Sequence, residues 1–427
     1  SVDSGHLPLS KKKNHFQSQA APKSHRSKMS SSRRRRLSPP PPQLPDDAIR
    51  DILLRTPPDD PRRLFRASLC CKPWRRLLSD PAFCRTYREL HRRTPPLLGF
   101  IHNKGSAEKP HHCVLVPTTP FRPPGGTHRP NWIVLDSRHG RVLLYSFPPK
   151  PDIEFVVWDP ITDEQWRMLL PDFQYGSWSA TVLCAMDGCD HLDCHGGPFL
   201  VAFAGLNKLA FASVYSSVAG EWSDTIFAEY PDTAMEQYPG MEYMRFMDSG
   251  LGFSVLMGKT VYFPSNMSNR ILEYNIAEKR LSVIDTRFQE YQQHIVLVMA
   301  EDDGVLVFAG VKESSLHLWS REVGEDGAVA WPRHSVIHLD MLVPRPGCWT
   351  TPDWDGISGG LLVGSADGVI FLSTHVGSYM VDISSGKARK LTNMRFTDKI
   401  IPYVSFYTID HARGIKHHCH EHLGPST

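Results

Sequence analysis

Five cysteine and histidine side chains, able to handle a metal or a proton, fall within twelve residues in the stretch Cys184-Ala-Met-Asp-Gly-Cys189-Asp-His191-Leu-Asp-Cys194-His195. Zinc takes four such ligands in a tetrahedron. The cysteine spacing, C-x4-C-x4-C followed directly by His, is unlike the paired C-x2-C of ribbons and fingers. The stretch also lies between apolar, strand-like runs, where an exposed turn is expected. Spacing alone therefore assigns no metal, and no cofactor is expected. The stretch His417 to His422 could chelate a metal, but a terminal tail without fixed geometry makes no site. Gly-Ile-Ser358-Gly-Gly matches the form of a nucleophile elbow. Such an elbow needs a strand before it and a helix after it, whereas a strand-like run, Leu361 to Val363, follows here. No phosphate-binding G-x-x-x-x-G-K-[ST] loop is present, and no acid/base pair stands at a recognisable spacing.

Charge and cysteine usage narrow the function further. The net charge is +3, with the basic excess concentrated in the first 93 residues, including Lys11 to Lys13 and Arg33 to Arg36. That distribution argues against nucleic-acid binding by the whole protein, although the arginine run could serve as a nuclear import signal. Nine cysteines at irregular spacing do not form a disulfide framework and point to a reducing compartment. No apolar run approaches the ~18 residues of a membrane span, and the basic N-terminus is not followed by the apolar stretch of a secretion signal. Asn266-Met267-Ser268 matches a glycosylation acceptor, which carries no weight without such a signal. The expectation is a soluble protein of the nucleus and/or cytoplasm, without membrane or nucleic-acid partners. The chain opens on Ser1, and Met29 would make a natural start, so residues 1–28 read as an upstream extension.

These residues must be positioned by a chain several times the usual domain length, with 427 residues of which 41% are hydrophobic and 10% aromatic. Two domains, or one repeat array with an appendage, are expected. Residues 1–43, rich in Ser, Lys, Arg and Pro, have too little apolar surface to offset ordering entropy and are expected to be disordered. From Leu44 the pattern turns helical. Ile49, Ile52 and Leu53 recur at i, i+3, i+4 behind Asp46 and Asp47, and Thr56-Pro57-Pro58 stops that helix. Asp59 or Asp60 with Pro61 opens a second helix carrying Leu64. Cys71 and Trp74 lead into a third with Leu77 and Leu78, and Ser79 or Asp80 with Pro81 opens a fourth carrying Phe83, Tyr87 and Leu90. Three or four short helices in about 45 residues bury too little surface to stand alone, so this block needs a partner.

Leu44-Pro45, Ile52-Leu53, Arg55, Leu64, Ser68, Cys71-Lys72, Trp74-Arg75, Leu77 and Asp80-Pro81-x-Phe83 resemble the F-box pattern over its whole length. Thr56 stands where that family has a leucine before the proline, and Cys70 where it has an aliphatic residue. The resemblance implies docking on a Skp-type adaptor, and through it on a cullin. It assigns the adaptor contacts to Leu44, Pro45, Ile49, Ile52, Leu53, Leu64, Leu69, Cys71 and Trp74. Packing inside the helical block is the alternative for these residues, and the expected role of Leu77 and Leu78.

After His91 short β-rich runs dominate. Val156 to Leu169, Val214 to Ile226, Leu272 to Ile284 and Met380 to Leu391 each read as a hairpin. Turn-plus-apolar bursts begin at Gly140, Gly258, Asp303 and Asp367. Their spacing of about 45 to 65 residues, with a doubled gap between Gly140 and Gly258 where the Phe199 to Ser217 unit falls, suits propeller blades. The expected fold class is therefore α+β and multidomain. A small helical F-box, residues 44–90, precedes a large all-β repeat domain, residues 95–416, read as a kelch-like β-propeller of six to eight blades. Residues 417–427 form a His-rich tail, and a pair of β-sandwiches is the alternative architecture.

The combination is similar to plant F-box proteins, especially those of grasses, whose C-terminal parts are kelch-like or F-box-associated. It implies a non-catalytic substrate receptor of a Skp–cullin–F-box ubiquitin ligase, binding an unknown target through the β domain. A propeller enzyme, a ligand sensor and an F-box scaffold outside a ligase are the alternatives. Most tryptophans are expected to pack between blades. Trp349 and Trp354, in a turn-rich stretch, are the candidates for target contact.

Overall fold

The computed structural model describes residues 44–58, 60–92, 95–106, 109–147, 153–170, 177–206, 209–229, 254–264, 270–285, 295–300, 305–312, 315–324, 329–342, 361–366, 368–374, 376–393 and 400–408. The chain divides into two compact units, Ser1–Pro45 and Asp46–Thr427. Of the first, only Leu44 and Pro45 are described, and both are exposed. The expectations for residues 1–43, Asn266 to Ser268, Trp349, Trp354, Ser358 and the His417 to His422 tail lie outside the described residues.

The second unit opens with four helices: α1 (Asp46–Leu54), α2 (Arg62–Cys70), α3 (Lys72–Leu78) and α4 (Pro81–Leu90). Local chemistry sets their ends. Two aspartates in the first turn of α1 complement its dipole, and the Asp60 carboxylate accepts from the Arg62 backbone N–H at 3.1 Å just ahead of α2. At α4 the Asp80 carboxylate accepts from the Ala82 N–H at 3.2 Å, with Pro81 at the first helical position. Leu53, Leu64, Leu78, Phe83, Cys84 and Tyr87 form the core of the block. The Tyr87 hydroxyl donates to the Thr56 carbonyl at 2.8 Å, and His91 Nε2 lies 2.8 Å from the Leu54 carbonyl, so α4 is tied to the end of α1.

The strands that follow form six antiparallel blades among the described residues, five of four strands and the third of five, with a separate two-stranded ribbon between Glu322–Val323 and Val329–Ala330. The second blade shows the plan: Trp132–Arg138, Arg141–Ser146, Glu154–Trp158 and Gln165–Leu169 pair in chain order. Its second strand, buried along its whole length, is the burst after Gly140, and its outer two strands are the Val156 to Leu169 hairpin. The same correspondence holds for the bursts at Gly258, Asp303 and Asp367 and for the other three hairpins. Gly140 turns between strands at φ 75°, a left-handed conformation that disfavours any side chain.

Ring closure comes from the far end of the chain. Ile400–Val404 pairs with Leu97–Ser106, with Phe100 opposite Pro402 and Ile101 opposite Ile401, so the first blade takes a strand from the last described residues. Closure removes the exposed sheet edge and pins both ends of the array. Between the second and third blades lies an aromatic layer in which the Trp178 ring sits 5.2 Å from Tyr145, 5.7 Å from Phe155 and 5.6 Å from Phe203. Trp158, Trp178 and Trp319 are buried as expected, whereas Trp166 is half exposed and donates to the Tyr215 hydroxyl at 3.1 Å. No described helix is long and apolar enough to cross a membrane.

Candidate functional site

The helical block has an inner and an outer side, and the residues assigned to adaptor contact divide between them. Leu44, Ile52 and Leu69 are 57%, 56% and 80% exposed, and Pro45 and Cys71 are exposed as well. Of these, Leu44 and Pro45 belong to the first unit, whereas Ile52, Leu69 and Cys71 are exposed on the helices of the second, whose core does not include them. Ile49 and Trp74 are half-buried, packed on that core with one side still open. Leu53 and Leu64, also assigned to adaptor contact, are buried at 4% and 5% exposure inside the block. Their i, i+3, i+4 spacing marks an apolar stripe, and such a stripe does not distinguish a helix's own core from a partner's. Leu78 is buried and Leu77 partly so, in keeping with a packing role.

Behind the helices, α4 is bolted to the propeller. Phe406, just past the closing strand, enters the helical core, and Phe65 of α2 stacks on Tyr407 with ring centroids 5.1 Å apart. Arg88, buried on α4, donates to the Thr408 hydroxyl at 2.9 Å and to Asp193 Oδ2 at 2.6 Å. The other oxygen of Asp193 lies 3.3 Å from His195 Nε2, while His195 Nδ1 lies 2.7 Å from Asp159 Oδ2. Burial disfavours the imidazolium, but the two carboxylates outweigh it and hold His195 up at about 9. Asp159 is held below the usual carboxylate range by His195 and by the Ile161 and Thr162 donors, despite burial acting the other way. A relay of alternating charge thus runs from α4 through the loop before the third blade's second strand and into the second blade.

That loop is the Cys/His stretch. It does not splay out as an exposed turn. One ligand atom each of Cys184, Cys189, His191 and Cys194 lies within 4.8 Å of every other, and Cys194 Sγ is 3.7 Å from His191 Nδ1. The His191 ring stacks on His139 with centroids 3.9 Å apart and planes 10° from parallel. Burial, with the nearby His191 and arginines, pushes His139 down to about 3, so it is neutral. A bond from the Cys194 thiol draws the Cys184 thiol down to about 4, while that same pairing and burial push Cys194 up. His195 stands apart from this cluster, engaged in the charge relay.

Two family profiles match the chain. The F-box domain matches residues 41–86, and the F-box protein AT5G49610-like β-propeller matches residues 133–408, more than half of the sequence. The chain belongs to this F-box β-propeller family. No curated protein matches it in sequence. Solved structures similar to it include the β-propeller domain of the Trilobed protease from Pyrococcus furiosus. That domain is 12% identical with a TM-score of 0.34, over 70% of this chain and 80% of that one. Another is the Cps50 (Swd1) β-propeller domain of Myceliophteria thermophila, 10% identical with a TM-score of 0.35, over 67% and 81% of the two chains. Likenesses of that strength carry no argument about function.

In this F-box protein the residues that join the F-box to the propeller were not visible in the sequence. Arg88 meets Asp193 across 105 positions and Thr408 across 320. The one available signal is Arg88 on the Phe83, Tyr87 face of α4, where a charged residue occupies a position that points inward.

Proposed function

We propose that this F-box protein is a substrate-recognition subunit of a Skp–cullin–F-box ubiquitin ligase. F-box domains bind Skp-type adaptors; Ile52, Leu69 and Cys71 are exposed on the helices, Trp74 and Ile49 are half-buried there, and Leu44 and Pro45 are exposed in the unit that precedes them. The observation that carries the reading is the pairing of an F-box match with a propeller of an F-box protein family in one chain. Through the adaptor the chain reaches a cullin, and the propeller holds a target protein. In such an assembly transfer chemistry belongs to other subunits. The receptor acts by raising the effective concentration of target lysines near the charged conjugating enzyme, so none of its own residues need be catalytic. Loops on a propeller face supply specificity on a rigid frame, and Trp349 and Trp354 are proposed as target anchors. The proposed compartment is the nucleus, the cytoplasm or both, with neither membrane nor nucleic acid as a partner.

Co-purification from cells tests this reading. The full chain should carry the adaptor and a cullin, and the Leu44→Ala, Pro45→Ala double variant should lose both while its far-UV dichroism is unchanged. Retention of adaptor without cullin would instead indicate a scaffold outside a ligase. A folded wild type that captures neither would remove the receptor reading.

A further inference from the structure

We propose that Cys184, Cys189, His191 and Cys194 bind one zinc ion in a closed Cys3His site that fixes the loop on which the F-box helices rest. This goes beyond the receptor role and stands or falls independently of it.

The geometry of the donors is the first ground. Zinc bound to sulfur at ~2.3 Å and imidazole nitrogen at ~2.0 Å sets tetrahedral edges of about 3.8 Å between sulfurs and about 3.6 Å between sulfur and nitrogen. All four donor atoms already lie within 4.8 Å of one another, and the Cys194 Sγ to His191 Nδ1 separation is 3.7 Å. A contraction of a few tenths of an ångström to about one ångström closes the tetrahedron. Four protein ligands leave no open coordination position, so the ion is structural. Three soft thiolates with one imidazole select zinc over hard cations.

The surroundings of the donors form the second ground. The Met186 N–H points at Cys184 Sγ and the His191 N–H at Cys189 Sγ, both at 3.4 Å, as backbone donors do around metal-bound thiolates. His139 stacks on His191 and fixes the plane of the ligating ring.

Charge balance is the third ground. Arg141 is buried at 1% exposure beside the loop, its Nη2 donating to the backbone carbonyls of Cys194 and Gly197, and its buried Nη1 meets no hydrogen-bond partner among the described residues. A buried guanidinium served by neutral carbonyls is costly. Three thiolates, a neutral imidazole and Zn²⁺ together carry one negative charge next to it, which supplies the missing counter-charge.

The position explains the purpose. Leu192, which packs on the F-box core, and Asp193, which pairs with Arg88, both lie between two ligands, His191 and Cys194. A metal at this point closes a four-residue loop around two of the contacts that hold the helical block to the propeller. It stiffens the joint between the F-box helices and the propeller.

The test uses the full chain, expressed with added zinc and purified without chelator. A parallel chain has His417, His418, Cys419, His420 and His422 all changed to Ser, so that the tail cannot contribute. Elemental analysis should give one zinc per chain in both. The Cys189→Ser, Cys194→Ser variant should fall below a tenth of an equivalent. At the exposed ligand, where folding is not at stake, His191→Ala should lose the metal and His191→Cys should keep it. X-ray absorption at the zinc edge of the tail variant should show three sulfurs and one nitrogen. Absence of zinc from reduced, zinc-reconstituted wild type would overturn the proposal. So would a full equivalent retained by the double cysteine variant, or a first shell without sulfur.

Discussion

Changing Asp193 to Asn should cost more stability than removing its partner Arg88. The Arg88 side chain is only 4% exposed, and it donates to the Asp193 carboxylate at 2.6 Å and to the neutral Thr408 hydroxyl at 2.9 Å. Taking the carboxylate away strips one counter-ion from a buried guanidinium, a change worth about 3–5 kcal/mol in general. Asp193 is a fifth exposed and Thr408 remains, so the lower end, about 3 kcal/mol, is expected here. In Arg88→Met the carboxylate keeps His195 Nε2 at 3.3 Å and some water, and the expected loss is about 1–2 kcal/mol. The double variant should then be less damaged than the sum, with a coupling of about 1–2 kcal/mol. Urea unfolding of the full chain, followed by far-UV dichroism and checked for two-state behaviour, measures all four corners of the cycle. A reversed order of the single variants, or additivity within about 0.3 kcal/mol, would refute the view that this pair bolts the F-box to the propeller.

Three further outcomes follow from the packing. Tyr87→Phe removes the 2.8 Å bond to the Thr56 carbonyl and should lower stability by about 1 kcal/mol in the same denaturation assay. Phe203→Ala, at the centre of the aromatic layer between the second and third blades, should cost about 3–5 kcal/mol and broaden the near-UV dichroism. Gly140→Ala forces a side chain into φ 75° and places its Cβ 3.0 Å from His195 Cβ; a loss of about 1–2 kcal/mol and faster limited proteolysis between F-box and propeller are expected.

Much of this architecture was legible because it rests on local rules. The cap at Asp80, the Pro57-Pro58 stop and the four outer hairpins are written within windows of fewer than twenty residues, and they appear where the sequence placed them, whereas Pro61, not Asp60, stands at the N-cap of α2. The closing strand, Ile400–Val404, was not singled out, because its partner lies some 300 positions away and no local period marks it. Apolar helical stripes identified buried and exposed positions together, which is why Leu53 and Leu64 stood among the adaptor contacts although they face inward. The cysteine cluster was visible as residues and illegible as geometry. Its spacing resembles no paired motif, and only the turn through Gly188 at φ 66° and His191 at φ 58° brings Cys184 back against Cys194. The charge relay joins α4, the loop and the second blade, and so left no trace in any one segment.

The most direct test of the receptor reading is the affinity of the full chain for a purified Skp-type adaptor, measured by titration calorimetry on wild type and on Ile52→Asp and Leu69→Asp. Both residues are more than half exposed, so each change should leave stability within about 0.5 kcal/mol. The account predicts one-to-one binding by the wild type. Each exposed-leucine or isoleucine change should weaken it by at least about 2 kcal/mol, roughly thirtyfold. Equal affinity of wild type and both variants, or no binding by the folded wild type, would contradict it.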